Sequence, residues 1–318
     1  MEKSSTQIGM TFNQDRIHYV VVTYDPAPLL SAAGEILLNG RFDYSACQDE
    51  EQVLRQSAAI SSMLEERGIA AGQAALAVDQ GYLLLKRLRV DRGLSESDLR
   101  QHIEWEMEQF LAAPRDEYNV SYERMPVETE TMEGYIVAAM RKVILQHLQA
   151  IFARTRLSLR QVDVDVLSAA RGLAVVTDHL AEGLSILMRP RDGKLYLSLM
   201  RNGALLSSQI STLRTELQPR TLNPARAEET AGFMNDEILR LLDTLGDEVL
   251  LKNIDQLYFA ETEFSREVLG ALQPLMRTTE FVMIDPLRNL HHTLSPAEQQ
   301  LVRRQAGSFL SMMGMYFS

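Results

Sequence analysis

Cysteine is almost absent from this chain, and Cys47 is the only one. An intrachain disulfide is therefore excluded, which suits a reducing compartment, and no cysteine-rich zinc site can be built. Cys47 lies in Asp43-Tyr-Ser-Ala-Cys-Gln-Asp-Glu-Glu, where neighbouring carboxylates disfavour a thiolate. Long apolar runs are missing as well. No stretch approaches the ~20 residues that cross a bilayer, and no apolar core of a secretory leader follows Met1-Glu-Lys-Ser-Ser-Thr-Gln. Neither G-x-x-x-x-G-K-S/T nor G-x-G-x-x-G occurs, so two common phosphate-cradling loops are excluded. Positive charge is in deficit: 32 Lys and Arg stand against 43 Asp and Glu, a net charge of −11. That field opposes nonspecific binding to nucleic acid or anionic lipid. The short basic clusters (Lys86-Arg87 with Arg89, Arg141-Lys142, Arg303-Arg304) are interrupted and read as solvated faces.

What is present is a long chain with much to bury. At 318 residues and 46% hydrophobic composition it suggests two domains. Periodicity predicts strands at Thr6–Met10, His18–Thr23 and Glu35–Arg41, with the prolines of Tyr24-Asp-Pro-Ala-Pro breaking the second. A helix over Asp49–Arg67, closed by Gly68, precedes a buried strand at Ala74–Val78. The second half repeats the order. Strands at Leu184–Met188, Lys194–Met200 and Ala204–Ile210 are joined by turns at Arg191-Asp192-Gly193 and Arg201-Asn202-Gly203. A helix at Ala227–Leu245, a strand at Ile254–Phe259, a helix at Phe264–Met276 and a strand at Phe281–Ile284 follow. A duplicated β-β-β-α-β-α unit is the pattern of the actin-like, ribonuclease-H-like α/β architecture.

An α+β insert, Gln80–Arg156, interrupts the first half. Its central helix is capped by Ser95 with Asp98 at the reciprocal position, carries Leu99, Ile103, Met107, Phe110 and Leu111 at helical spacing, and stops at Pro114. Strands at Tyr82–Val90, Asn119–Arg124 and Gly134–Met140, and a helix at Lys142–Arg156, complete it; Val162–Val166 returns as a strand.

Several residues in the insert carry a family likeness. Leu83-Leu-Leu-Lys-Arg-Leu-Arg-Val with the helix that follows, Tyr118-Asn-Val-Ser-Tyr, Ile136-Val-Ala-Ala-Met-Arg-Lys and Val162-Asp-Val-Asp together resemble the PilM proteins of type IV pilus assembly. Asp285-Pro-Leu-Arg-Asn-Leu and the final Met313-Gly-Met extend the resemblance. It implies a cell-division FtsA-related fold, ATP held between two halves, and a grip on a short cytoplasmic peptide of a membrane partner such as PilN. It further implies a cytoplasmic protein, peripheral at the inner membrane through its partners, with self-association left open. Pattern and resemblance predict a first actin-like subdomain from residues 1–79, 157–180 and 290–318, an inserted subdomain at 80–156, and a second actin-like subdomain at 181–289 with a reduced helical cap.

Such ATPases hold phosphates on two hairpin loops, each usually carrying Asp-x-Gly. The first loop, with positions Gly9, Thr11 and Asn13, is degenerate: Thr11 stands where the Asp is expected and Asn13 where the Gly is expected. In the second, Met188-Arg189-Pro190 replaces the acidic motif, and proline offers no N–H. Ala260-Glu261 replaces the glycine pair of the adenosine turn. These departures predict a pseudo-ATPase scaffold with no catalytic residue, no metal and no cofactor, its cleft filled by side chains such as Phe12 and Arg189. The alternative is a working Mg-ATP-binding ATPase that switches assembly state, with Asp15, Asp163 and Asp192 as the nearest acids. A third reading makes Asp163 and Asp165, on one face of a strand, an acid/base pair. Of the remaining candidates, His18 and the Met312, Met313 and Met315 group read as packing and His291-His292 as a solvated loop, while Trp105 reads as a partner anchor or part of a solvated face.

Overall fold

The computed structural model describes residues 6–13, 15–24, 26–38, 40, 42, 47, 49–125, 131–178, 180, 182–214, 217, 224–244, 254–260, 266–276 and 279–317. The first half opens with strands β1 (Gln7–Phe12), β2 (Arg16–Tyr24) and β3 (Pro28–Leu37), helix α1 (Glu50–Glu66) and β4 (Gly72–Val78). The insert follows as β5 (Leu83–Asp91), α2 (Glu96–Glu108), β6 (Tyr118–Arg124) and β7 (Met132–Arg141). Helix α3 (Lys142–Ala153), β8 (Leu157–Val164) and α4 (Asp165–Val176) close the half. The second half runs β9 (Leu184–Arg191), β10 (Lys194–Arg201), β11 (Ala204–Thr212), α5 (Ala227–Asp243), β12 (Gln256–Phe259), α6 (Arg266–Leu272) and β13 (Glu280–Met283). Helices α7 (Pro296–Arg304) and α8 (Ala306–Tyr316) end the described chain.

The two large sheets have equivalent strand orders, β3-β2-β1-β4-β8 and β11-β10-β9-β12-β13. In each half the three opening strands form a meander and the two later ones join parallel on its far side: β4 pairs with β1 and β8 with β4, β12 with β9 and β13 with β12. This duplicated β-β-β-α-β-α order is the actin-like fold. Helix α3, grouped with the insert in the sequence reading, occupies the place that α6 takes in the second half. The insert has its own antiparallel sheet, β5-β7-β6. No helix among the described residues is long and apolar enough to cross a membrane.

By their contacts the residues form two compact units, one of His18–Gly34 with Val166–Ser318, the other of Ser5–Ile17 with Glu35–Asp165. In the first, α7 and α8 bury Val302, Phe309, Met312 and Met313 against Val20, Val22, Leu30 and Ala33. Both hairpin turns have left-handed residues in pairs, Asp192 with Gly193 (φ 50° and 71°) and Asn202 with Gly203 (φ 51° and 79°). Those twin positive φ values match the twist of the flanking strands, which is why Asp-Gly and Asn-Gly mark the turns in the sequence. In the second unit, α2 packs Ile103 and Met107 onto Leu88, Val90, Tyr135 and Val137 of the insert sheet.

Local chemistry explains most boundaries. Asp49 caps α1 by accepting the Glu51 amide at 2.9 Å. At its other end Gly68 takes φ 65°, while the Gly68 and Ile69 amides donate to the Glu65 and Leu64 carbonyls, the hydrogen-bond pair that ends a helix at a left-handed glycine. Strand β3 begins at Pro28, well before the Glu35 expected from the sequence. Proline is tolerated there because it is the first residue of an edge strand. Val162–Val166 is divided: β8 stops at Val164 and Asp165 starts α4.

Candidate functional site

The first loop position falls at the β1–β2 turn. Gly9 and Thr11 lie within β1, opposite Ala75 and Ala77 of β4, and Thr11 is fully buried. Asn13 is buried and donates its amide to the Arg16 carbonyl at 2.8 Å, closing the turn. Among the described residues, positive φ outside glycine occurs only at Asp192, Asn202 and Asn289, so Asn13 does not reproduce a glycine-like backbone. Asp15, the nearest acid, receives two hydrogen bonds from Arg16, at 2.9 and 3.0 Å, and Arg16 also donates to Glu35 at 2.9 Å. The hydrogen bond from Arg16 holds the Asp15 carboxyl below its ordinary range. A carboxylate so engaged is a poor free ligand for a cation. Phe12 turns inward instead, its ring 5.3 Å from that of Phe42.

The second loop position is strand rather than loop. Met188, Arg189 and Pro190 are buried inside β9, opposite Leu197, Tyr196 and Leu195, and the hairpin turns later, at the exposed Asp192 and half-buried Gly193. Arg189 is 1% exposed. Its Nη1 donates to the Gly307 carbonyl at 3.4 Å and the Ser311 hydroxyl at 3.3 Å, and its guanidinium lies 5.6 Å from the Tyr196 ring centre. Arg191, also buried, places its guanidinium 4.4 Å from the same ring. Ala260 continues β12 by donating to the Met188 carbonyl at 3.0 Å, and it is closed over by the first turn of α8. A Cβ on Gly307 would meet the Ala260 carbonyl at 3.3 Å and Arg189 Cβ at 3.4 Å. Glu261 lies outside the described residues.

Asp163 and Asp165 do not form a pair on one strand face. Asp163 is at the end of β8, accepting the Val164 amide at 2.7 Å. Asp165 is fully buried as the first residue of α4 and accepts the Gln80 amide at 2.9 Å. The alternation Val-Asp-Val-Asp-Val is therefore interrupted by a helix start, which an acid at the first turn favours. Cys47 is buried. His18 packs edge-on to Phe309 at 5.2 Å, and Met312 and Met313 are core. His291 contributes its carbonyl to the Leu30 amide at 3.0 Å, and no group of three or more His, Cys, Asp or Glu among the described residues is placed to hold a metal. Trp105 is 57% exposed on α2.

A further feature was not legible in the sequence. A groove of about 300 Å³ lies between the end of β3 and α1, lined by Leu37, Leu38, Gln52, Gln56, Ala58 and Ala59. Arg55 stands on its lining as well, and Leu37 is 68% exposed. Behind it, the buried Gln56 side chain bonds the His147 Nε2 of α3 at 3.1 Å, and the Phe42 ring lies 5.9 Å from His147 and 5.2 Å from Tyr82. The sequence signal would have been Leu37, an apolar residue at the end of an edge strand, but only the fold reveals the neighbouring alanines.

Burial holds the His147 imidazole below its ordinary value, against an opposing pull from Asp49. A folded-state pKa below the unfolded one means the unfolded chain takes up the proton first. The contribution is complete above about pH 6.5 and is lost as pH falls toward the folded value. Denaturant melts of the wild type and His147→Gln should diverge below that pH, the variant losing less stability by at most about 1.4 kcal/mol per pH unit. Parallel curves would refute the assignment.

The fold has counterparts among known proteins. The profile of the family described as "Type IV pilus assembly protein PilM" matches residues 41–186. Over its length the chain is similar to a solved PilM–PilN type IV pilus biogenesis complex, at 15% identity and TM-score 0.75, covering 98% of this chain and 97% of that one. It is also similar to the cytoplasmic domain of EpsL, an inner-membrane component of the type II secretion system of Vibrio cholerae, at 12% identity and TM-score 0.51, covering 99% and 96%. At these identities the likeness establishes a shared fold, and residues 41–186 are PilM-like.

Proposed function

We propose that this PilM-like protein is a non-enzymatic cytoplasmic scaffold of a type IV pilus or type II-secretion-like inner-membrane platform. It binds a cytoplasmic peptide of a PilN-like membrane protein and is held at the membrane by that contact. The observation that carries the reading is the correspondence of fold along 98% of the chain with the PilM–PilN complex. The pseudo-ATPase part rests on chemistry at the three loop positions. Thr11 brings no acid, Asn13 keeps an ordinary backbone, and the second loop position is strand occupied by a buried Arg189 tied to α8. The groove beside β3 is the peptide site in this reading. It adjoins the Leu37 end of edge strand β3, away from the Leu30 end that pairs with residues 291–293, and its small alanines leave room for apolar side chains.

One observation favours a second reading. The β9–β10 turn carries an acid and a glycine side by side, Asp192-Gly193, though without the intervening residue of the phosphate-loop motif. Thermal melts with and without millimolar Mg-ATP separate the two. A ligand at a hundred times its dissociation constant adds roughly 2.7 kcal/mol, a rise of about 4 °C for a chain of this length. The scaffold reading expects no rise with Mg-ATP. It expects a rise with a synthetic N-terminal cytoplasmic peptide of the membrane partner, abolished by Leu37→Glu. A clear nucleotide shift would replace it with the switching ATPase.

A further inference from the structure

Helix α2 has one face that no other described residue covers. Its buried stripe is Ile103 and Met107, packed with Leu99 on the insert sheet. At 100° per residue, Trp105 stands almost diametrically opposite that stripe, at the pole of the solvent face. The lone tryptophan of the chain is thus 57% exposed, with its indole 6.2 Å from the His102 ring. A large aromatic there contributes nothing to the core and exposes apolar surface.

The rim around it is acidic. Asp98 and Glu108 lie on the same face as Trp105, one before and one after it, and Glu104 and Glu106 flank it on either side. Glu104 is engaged by Arg115 at 2.7 Å and Asp98 by the Ser95 hydroxyl at 2.7 Å. Glu106 and Glu108 form no ion pair among the described residues. The insert already uses cations over rings: Lys86 Nζ sits 3.6 Å from the Phe110 ring centre, and the Arg141 guanidinium lies 6.0 Å from that of Tyr118. Trp105 is the exposed ring to which the chain supplies no such cation among the described residues.

The geometry points to the Trp105 face of α2 as a docking surface for an arginine-bearing basic segment of a partner protein. An arginine stacks its guanidinium on the indole while its N–H groups reach Glu108 or Glu106, a pairing of aromatic face and carboxylate that a planar guanidinium fits better than an ammonium. Exposed tryptophan with a polar rim is also the composition of an interaction hot spot. The acidic rim and the net charge of −11 disfavour an anionic lipid surface as occupant. This surface is separate from the β3 groove, and its assignment does not rest on the pilus reading.

The test uses the full chain and labelled acetyl-hexaarginine-amide, read by anisotropy at about 150 mM salt, where the long-range field is screened. Trp105→Ala, which removes no buried side chain, should keep its circular-dichroism melt and weaken binding about tenfold or more. Glu108→Gln should weaken it about fivefold, while Glu228→Gln, an equal charge change on exposed α5, should leave it within about twofold. Hexalysine should bind about threefold weaker or less well still. Equal loss in Glu108→Gln and Glu228→Gln, or unchanged binding in Trp105→Ala, would reduce the effect to net charge and overturn the surface. Hexalysine binding as tightly as hexaarginine would overturn the stacking.

Discussion

Replacing Gly314 with alanine should cost about 3 kcal/mol or more and lower the melting temperature by about 4 °C or more. Helices α4 and α8 touch at their backbones. A Cβ on Gly314 would lie 1.8 Å from the Ser168 carbonyl oxygen and 2.6 Å from the Gly172 nitrogen. A Cβ on Gly172 would lie 2.1 Å from the Leu310 carbonyl oxygen. No flexible side chain can yield, so the helices must part. Since α8 carries Phe309, Met312 and Met313 into the core against β2 and β3, parting them opens that core. Gly172→Ala should behave alike. Gly232→Ala, in α5 with nothing within 4 Å of the added carbon, should instead be neutral or stabilise by up to about 1 kcal/mol. If Gly314→Ala melts with Gly232→Ala, the close crossing is wrong.

Arg189→Ala should be nearly as damaging, at about 3 kcal/mol. It removes a fully buried long side chain and strips donors from the Gly307 carbonyl and Ser311 hydroxyl. Arg189→Met separates volume from charge. A buried cation replaced by an apolar chain of similar size is often neutral, so methionine should recover the melt to within about 1 kcal/mol. Alanine melting like the wild type would mean that α8 is not fastened through this residue. The part of the pseudo-site account in which Arg189 stands in place of a ligand would then fall.

Residues that act through their immediate neighbours were readable from the sequence. Asp192-Gly193 and Asn202-Gly203 announced tight turns because few other pairs tolerate two left-handed residues. Gly68 announced a helix end, and Ser95 a helix start that the structure confirms at 3.2 Å to the Asp98 amide. The repeat of β-β-β-α-β-α was visible because each half carries its own periodicity. The full capping box of Ser295 with Glu298, which starts α7, is equally local. Other features depend on what lies across space. Asp165 reads as strand until α4 is known to begin there. Pro28 reads as a break until β3 is known to be an edge. Gly172 and Gly314 look like unremarkable helix glycines until α4 and α8 are crossed. Of the candidate site, the residue substitutions at the loops were legible, but Met188–Pro190 lying inside β9, with Arg191 still between them and the turn, was not, and neither was the alanine-floored groove.

The unequal spacing of strand partners has a kinetic consequence. Strands β9, β10 and β11 are joined by two tight turns, so their pairings close over very short loops. Hairpins of this kind form in roughly microseconds. In the first half, β4 and its parallel partner β8 are separated in the chain by the whole insert and α3. Their pairing is a distant contact whose closure entropy must be met before it is rewarded. The two opening meanders are therefore natural early nuclei, and an insert that has collapsed on its own core shortens the effective distance β8 must travel. On a ribosome, the first half would leave the exit tunnel with its opening meander able to pair at once and its sheet still waiting for β8.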